Sequence, residues 1–303
     1  MVIPIFPNFK KLDISDRTEI EKYTSPYKPY SDFNFISMWG YMHTESEWCI
    51  LNNNLVFKFV DYLDGKPFLT YIGKHRPVHT IQTLLEYSVN HGLPNSLSLV
   101  PEESIYHEID TVKSAYAIQD DVDNYDYILD LKLVCNLEGH NFLVRRQQIR
   151  NFLKHRLDFS FRVIDHSKTT IKDEMINCFK SWVMEGSKEG WERELCALER
   201  ILDQKDSGIV TFGVYYDNNL HGFTLTELIP NSHYVMAHYE KANVKIPGIF
   251  SYLRHAQCMY FYLLGYKYLN LQQDLGKPGL RLAKQLWRPD HMLKKYIISP
   301  KSQ

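Results

Sequence analysis

Apolar residues recur along this chain with two spacings, and the switches between them mark the elements. Residues 12–24 predict a helix that Ser15 or Asp16 can cap, with Glu19 in its first turn and Pro26 and Pro29 beyond its end. Residues 33–42 predict a second helix, capped by Asp32, that buries Phe35, Met38 and Trp39. Apolar runs at 48–51 and 55–60 flank Asn52-Asn53-Asn54, whose residues tolerate a left-handed backbone, so they predict a hairpin. A strand at 67–72, a helix at 77–90 ended by Gly92, a strand at 97–100, a short helix from Pro101 and a strand at 115–118 follow.

The acidic run at 119–126 lacks the glycine and closing glutamate of a calcium-binding loop, so it is expected to be a solvated turn. The pattern then begins again, which places a domain boundary near Leu133 and predicts domains at 1–133 and 134–303. The second half reads helix, strand (159–164), helix (171–184) and helix (192–204). A hairpin (209–228) turning at Asp217-Asn218-Asn219, a strand (234–242), a helix, a strand (266–272), a helix and a last strand (296–299) complete it.

The first helix of that half, within 139–156, carries Arg145, Arg146, Arg150, Lys154 and Arg156 and no acid. Phe142, Ile149 and Leu153 are its expected buried stripe, with Arg146, Arg150 and Lys154 beside it at i, i+4 and i+8. Like charges at that spacing repel by a few tenths of a kcal/mol, roughly, per pair. Such a stripe fits phosphates, or it is a solvent-facing helix paired with acids elsewhere in the fold.

Residues 238–289 gather most of the candidate chemistry. Pro247 presets a helix that buries Ile249, Leu253, Ala256 and Tyr260 and stops at Gly265. The strand after it alternates, with Leu269 and Leu271 on one parity and Tyr268, Asn270, Gln272 and Asp274 on the other, a parity too polar for an apolar core. Gly276, Pro278 and Gly279 turn the chain into a helix with Leu280, Ala283 and Trp287 on one stripe and Arg281, Lys284 and Arg288 nearby. Polar groups at strand ends are where open α/β sheets bind ligands, although each charge taken singly is most simply a solvated one.

The runs His238-Tyr239-Glu240-Lys241-Ala242 and Asp274-Leu275-Gly276-Lys277-Pro278-Gly279-Leu280-Arg281-Leu282-Ala283-Lys284 resemble motifs of the family related to the C-terminal domain of phosphatidylglycerol lysyltransferase. The element order of the second half also resembles the GNAT acyltransferase fold. The resemblance implies an α+β chain of two tandem GNAT-like domains, each a mixed twisted sheet flanked by helices, as in Fem-type aminoacyltransferases. It implies a splay between the strand ending at Ala242 and the strand at 268–272, where an acyl donor binds.

Acyl transfer to an amine needs a base for its proton and donors for the oxyanion. Glu240, Asp274 and Tyr239 are the catalytic candidates, with Glu227 one strand away. Lys241, Asn270, Gln272, Arg281 and Lys284 are candidates for substrate binding, and Arg145, Arg146, Arg150 and Lys154 for donor phosphates. GNAT acetyltransferases wrap the coenzyme A pyrophosphate in a glycine-rich loop; here that place reads Ala242-Asn243-Val244-Lys245-Ile246-Pro247-Gly248, where the proline removes an amide. The expectation is therefore aminoacyl-tRNA as co-substrate, with acyl-coenzyme A as the alternative and no tightly bound cofactor. The acceptor would be a small molecule, a peptide or a lipid headgroup. A non-catalytic binding module that kept the fold is the competing reading.

Composition trims the remaining options. With 44% hydrophobic and 23% charged residues and a formal net charge of -1, the chain is globular and carries no global field for nucleic acid. Five dispersed cysteines without a C-x-x-C pair, no signal-like start and no run of about 20 apolar residues predict a reduced, cytoplasmic protein. The 13 histidines form no H-E-x-x-H motif, so no metal is expected, and there is no Walker, G-x-S-x-G or G-x-G-x-x-G motif.

Overall fold

The computed structural model describes residues 3–42, 46–61, 65–155, 158–185, 190–204 and 208–301. In chain order the elements are β1 (Lys10–Lys11), α1 (Arg17–Thr24), α2 (Phe35–Ser37), β2 (Glu47–Leu51), β3 (Asn54–Val60), β4 (Pro67–Ile72), α3 (Pro77–Asn90), β5 (Leu97–Pro101), α4 (Glu102–Ile105), α5 (Ile109–Ala115) and β6 (Tyr116–Asp120). They continue with β7 (Asp126–Asp130), α6 (Leu131–Asn136), α7 (Leu143–His155), β8 (Ser160–Ile164), α8 (Thr169–Met184), α9 (Trp191–Leu202), β9 (Ile209–Tyr216), β10 (Asn219–Leu228) and β11 (Tyr234–Ala242). The last are α10 (Ile249–Leu263), β12 (Tyr268–Asn270), α11 (Pro278–Gln285), β13 (His291–Leu293) and β14 (Lys295–Pro300).

Two mixed seven-stranded sheets result, ordered β1-β2-β3-β4-β5-β14-β6 and β13-β7-β12-β11-β10-β9-β8. Each has one parallel step, β4 with β5 and β11 with β12, inside otherwise antiparallel pairing. Read from β8, the second sheet repeats the order of the first, with β7 where the first has β14. The strand that follows β6 in sequence thus lies in the second sheet, and the strand that follows β13 lies in the first.

Two compact units follow: Met1–Asp126 with Gln273–Lys277 and Met292–Gln303, and Tyr127–Gln272 with Pro278–His291. They are not consecutive runs, which differs from the expected division at 133/134. The reason is that β7, β14 and the 273–277 turn each pack away from their sequence neighbours.

In the first unit Cys49, Val56, Leu69, Ile81, Leu97 and Ile298 share one core. Several expected caps were one function off. Asp13 caps the first turn, and Asp16 closes the capping box, its buried carboxylate accepting from Asp13 N at 3.0 Å as well as from Lys10 and from Trp48 Nε1 at 3.0 Å. Asn34, not Asp32, caps α2, because Asp32 is taken by a buried ion cluster.

That cluster joins segments far apart in sequence. Lys295 Nζ, fully buried, donates to Asp32 and, at 3.0 Å, to Asp126 Oδ1. Asp126 also accepts from Ser31 N (2.7 Å) and Ser31 Oγ (2.6 Å), while Gln273 Nε2 donates to Asp32 Oδ1 at 3.1 Å. The acidic run at 119–126 is a solvated turn only in part: Val122 and Asp123 are exposed, whereas Asp121 and Asp126 are buried and Asp123 O accepts from Leu275 N at 2.8 Å.

In the second unit Phe152, Val214, Ala242, Ile249 and Leu253 form a core under α7 and α10. Phe142, Ile149 and Phe152 are the buried stripe of α7; Leu153, expected there, is exposed. In α11, Trp287 just beyond the helix is buried, while Leu280 is exposed and Ala283 lies on the outside. Pro247 precedes α10 rather than opening it, and Gly248 is the N-cap.

Candidate active site

The second unit parts its central strands where the resemblance implied. β11 and β12 pair in parallel over Tyr234↔Tyr268, Val235↔Leu269 and Met236↔Asn270 and no further, while β11 runs on to Ala242. The expected strand to Gln272 ends early for a local reason. Asn270 is buried and its Oδ1 accepts from Gln272 N at 2.6 Å, an Asx turn that puts Gln272 at φ 61°. Lys284 Nζ then holds the released backbone, donating to Leu271 O (2.7 Å) and Gln272 O (3.1 Å).

A buried acid–imidazole pair lies at the parting. The register of β10 against β11 shifts between Leu225 and Thr226, which pair with Tyr239 and Ala237, so His238 faces no residue of β10. Its Nε2 lies 3.0 Å from Glu227 Oε2, with side-chain exposures of 0% and 2%. Gln272 Nε2 donates to Ala237 O at 2.9 Å and lies 3.3 Å from His238 Nδ1, so the Gln272 amide covers that nitrogen.

Successive residues of β11 then separate onto two faces. Toward α10, Glu240 receives Arg254 Nε and Nη2 at 2.9 Å each and Gln257 Nε2 at 3.1 Å, and Gln257 Oε1 accepts from Thr226 at 2.8 Å. Toward α8 and α9, Tyr239 OH donates to Glu194 O (2.8 Å), and Lys241 Nζ to Glu194 Oε1 (2.7 Å), 3.8 Å from the Trp182 ring centroid. Glu240 is thus brought to neither Tyr239 nor Lys241, which sequence proximity had grouped with it. Asp274 belongs to the first unit, where it is buried and its Oδ1 caps Gly276 N at 2.9 Å. Arg281 is half-buried on α11.

The basic helix is used unevenly. Arg145 turns inward, its Nη1 donating to Gln148 Oε1 (2.8 Å) and Ser251 Oγ (3.2 Å), with its guanidinium 5.0 Å from the Trp287 centroid. Burial, then the neighbouring Arg254, lowers its pKa to about 10. Arg146 closes the end of α6, donating to Leu137 O and, at 2.7 Å, to Gly139 O. Arg150 and Lys154 are exposed, with no ion pair among the described residues, and Arg156 lies outside the described residues.

Three amides of the loop before α10 are already engaged. Asn243 N donates to His221 O, Ile246 N to Asn243 O and Lys245 N to Asn243 Oδ1, and Pro247 has no N–H. Gly248, at φ +85°, is pressed by α7: a Cβ there would meet Gln148 O at 2.5 Å and Phe152 Cβ at 3.1 Å. Gly248→Ala is therefore expected to destabilise the second unit by about 2 kcal/mol or more, read as a lowered urea midpoint at unchanged slope.

His238, Arg254 and Gln257 were not among the sequence candidates, and Glu227 entered only as a carboxylate one strand away. His238 opens a quoted motif, but the register shift that aims it at Glu227 leaves no mark in the sequence.

Fold and site together define an α+β chain of two mixed sheets whose second unit opens a parallel strand pair over buried polar side chains. The chain belongs to the family described as phosphatidylglycerol lysyltransferase, C-terminal, whose model matches residues 43–299. It is similar to a conserved protein of unknown function from Bacteroides thetaiotaomicron (TM-score 0.82, 22% identity, 99% of this chain and 100% of that one). It is also similar to L-PGS from Bacillus licheniformis (TM-score 0.65, 14% identity, 100% and 95%) and to a tandem GNAT protein from the clavulanic acid biosynthesis pathway (TM-score 0.52, 9% identity, 97% and 98%). At these identities the likeness is one of fold. Among curated proteins none matches the sequence. No helix among the described residues is long and apolar enough to cross a membrane.

Proposed function

We propose that the chain is a transferase of two GNAT-like domains, whose second, built from Tyr127–Gln272 and Pro278–His291, moves an aminoacyl group from aminoacyl-tRNA to an amine or hydroxyl acceptor. The observation that carries this reading is the parting of β11 from β12 with His238 and Glu227 at its base. It leaves the β11 edge beyond Met236 free of strand pairing, a place for the carbonyl and amide groups of a donor. Family membership supports the lysyl-transfer chemistry that the family's description names.

In this reading an acceptor group displaces the Gln272 amide and presents its proton to His238 Nδ1, with Glu227 holding the ring from Nε2. The acceptor nitrogen or oxygen attacks the ester carbonyl carbon, a bond to carbon forms and the ester C–O bond breaks. The proton held on His238 passes to the departing ribose oxygen. Glu240, neutralised by Arg254 and held by Gln257, ties β11 to α10 beside the parting. Tyr239 and Lys241 fix the α9 wall through Glu194, and Asn270 and Lys284 fix the exit of β12. Asp274 shapes the turn before α11, and Arg281 remains a candidate contact for the donor.

The loop before α10 weighs against an acyl-coenzyme A donor, since Lys245 and Ile246 have no amide to offer a pyrophosphate. Arg150 and Lys154 are the outward cations of α7 and the candidates for donor phosphates; Arg145 and Arg146 hold the fold instead.

A titration of thermal stability with charged tRNA, uncharged tRNA and acetyl-coenzyme A separates the donors. A ligand at a hundred times its dissociation constant adds about 2.7 kcal/mol. We expect stabilisation by charged tRNA, weakened by salt and by Arg150→Ala/Lys154→Ala. Stabilisation by acetyl-coenzyme A alone would sink the aminoacyl reading.

A further inference from the structure

Four strands end the two sheets, and they differ in how their free edges are protected. β1 is two residues long and is Lys10-Lys11, and β13 has three residues. β8 carries Arg162, whose Nε donates to Ser160 Oγ at 2.8 Å and whose guanidinium lies 5.1 Å from the Tyr215 centroid. Short length and edge cations are the usual defences against strand addition. β6 has neither. It is Tyr-Ala-Ile-Gln-Asp, pairs with β14 over all five residues without a register shift, and has no strand on its other side among the described residues.

The direction of its backbone groups follows from its inner partner. Tyr116 stands opposite Pro300, which has no N–H, and Asp121 N, just past the strand, donates inward to Lys295 O at 3.0 Å. Alternation then turns the amides of Ala117 and Gln119 toward β14 and those of Tyr116, Ile118 and Asp120 outward. The side chains of Ala117 and Gln119 are exposed, and Tyr116 and Ile118 pack against the core.

At the start of β6 a groove of about 340 Å³ opens between Gln82, Leu85, Glu86 and Val89 of α3 and Tyr116 and Pro300. Val89 there is 58% exposed, and Val122, two residues past the other end of β6, is 52% exposed.

We propose that β6 is the interface of a two-fold dimer, with the β6 of a second copy added antiparallel and centred on Ile118. Centring on Ile118 sets Ile118 against its own copy, Ala117 against Gln119 and Tyr116 against Asp120, with no like charges opposed. It also carries Val122 of each copy to the start of the other's β6, where the groove beside Val89 opens. One surface supplies both knob and hole, as an isologous contact requires. The five-residue edge is about 17 Å long, short of the roughly 800 Å² per partner of a standard interface without the groove contacts. The dimer is therefore concentration-dependent.

The test is sedimentation equilibrium of the full chain, with circular dichroism to confirm folding. Wild type is expected to pass from monomer to dimer as concentration rises. Ala117→Lys/Gln119→Lys and Ala117→Glu/Gln119→Glu, which oppose like charges, should each weaken the dimer at least tenfold. Their equimolar mixture should recover it as a heterodimer. A wild type that stays monomeric, a double variant that dimerises as wild type does, or a mixture that stays monomeric overturns the proposal.

Discussion

Lys295→Ala is expected to destabilise the first unit by about 3–5 kcal/mol, the usual result of removing one partner from a buried ion cluster. Lys295 is fully buried, and its loss leaves Asp32 and Asp126 facing each other in the interior without the cation between them. Lys295→Met/Asp32→Leu should recover part of the loss, because it removes one of the two facing carboxylates and leaves Asp126 its bonds from Ser31. Urea unfolding with hydrogen exchange read at Val56 and Leu69, against Val214 and Leu253, separates this from a global effect.

The cluster also fixes a sign in the pH dependence. Burial alone would lower the Lys295 pKa, but the Asp126 and Asp32 carboxylates outweigh it and hold it above its ordinary 10.5. Its contribution to stability is therefore complete below pH 10.5 and is lost as pH rises through the folded value. Asp32 is raised above 3.8, by burial first, against the pull of Lys295. Its own contribution is present below pH 3.8 and is lost as pH rises through the raised value, opposite to an ordinary surface carboxylate. The first unit should thus lose stability on the alkaline side, and Lys295→Met/Asp32→Leu should remove that alkaline loss.

The second large effect concerns chemistry. His238→Ala is expected to slow transfer by about 10²–10⁴-fold, the range of a positioned general base. Glu227→Gln keeps a partner for Nε2 but removes its charge, so it should lower the rate less and shift the pH profile. Glu240→Gln should act differently, lowering stability more than the rate, because Glu240 meets Arg254 and Gln257 rather than His238. Equal rates for wild type and His238→Ala would remove the pair from the mechanism.

Much of the local structure was legible because it is written in local chemistry. Asn52 and Asn53 take the left-handed turn between β2 and β3, and Asp217 and Asn218 the one between β9 and β10. What was hidden depends on partners far away in sequence. Nothing local says that β7 and β14 lie in sheets other than those of their sequence neighbours, since alternation reads the same whichever sheet receives a strand. The same holds for Asp32, Asp126 and Lys295, three charged residues that look solvated until they are brought together. On α7 the buried stripe was displaced by one residue, to Phe152 from Leu153, as befits a helix whose inner face also takes Arg145.

The candidate site was legible as a region and not as a constellation. Glu240 and Tyr239 are adjacent in sequence and so lie on opposite faces of β11, and the polar parity read through 268–274 stops at Asn270. His238 could have been singled out from its motif, but its partner Glu227 depends on a bulge.

Aminoacyl transfer from tRNA at the parted strands is open to a direct test. A single-turnover assay with labelled lysyl-tRNA and a small amine acceptor, run on wild type and on folded His238→Ala, asks this directly. Labelled amide product is expected with wild type, at a rate reduced about 10²-fold or more in the variant. No product above the uncatalysed rate with wild type, or product formed equally by both proteins, would contradict the proposed transfer.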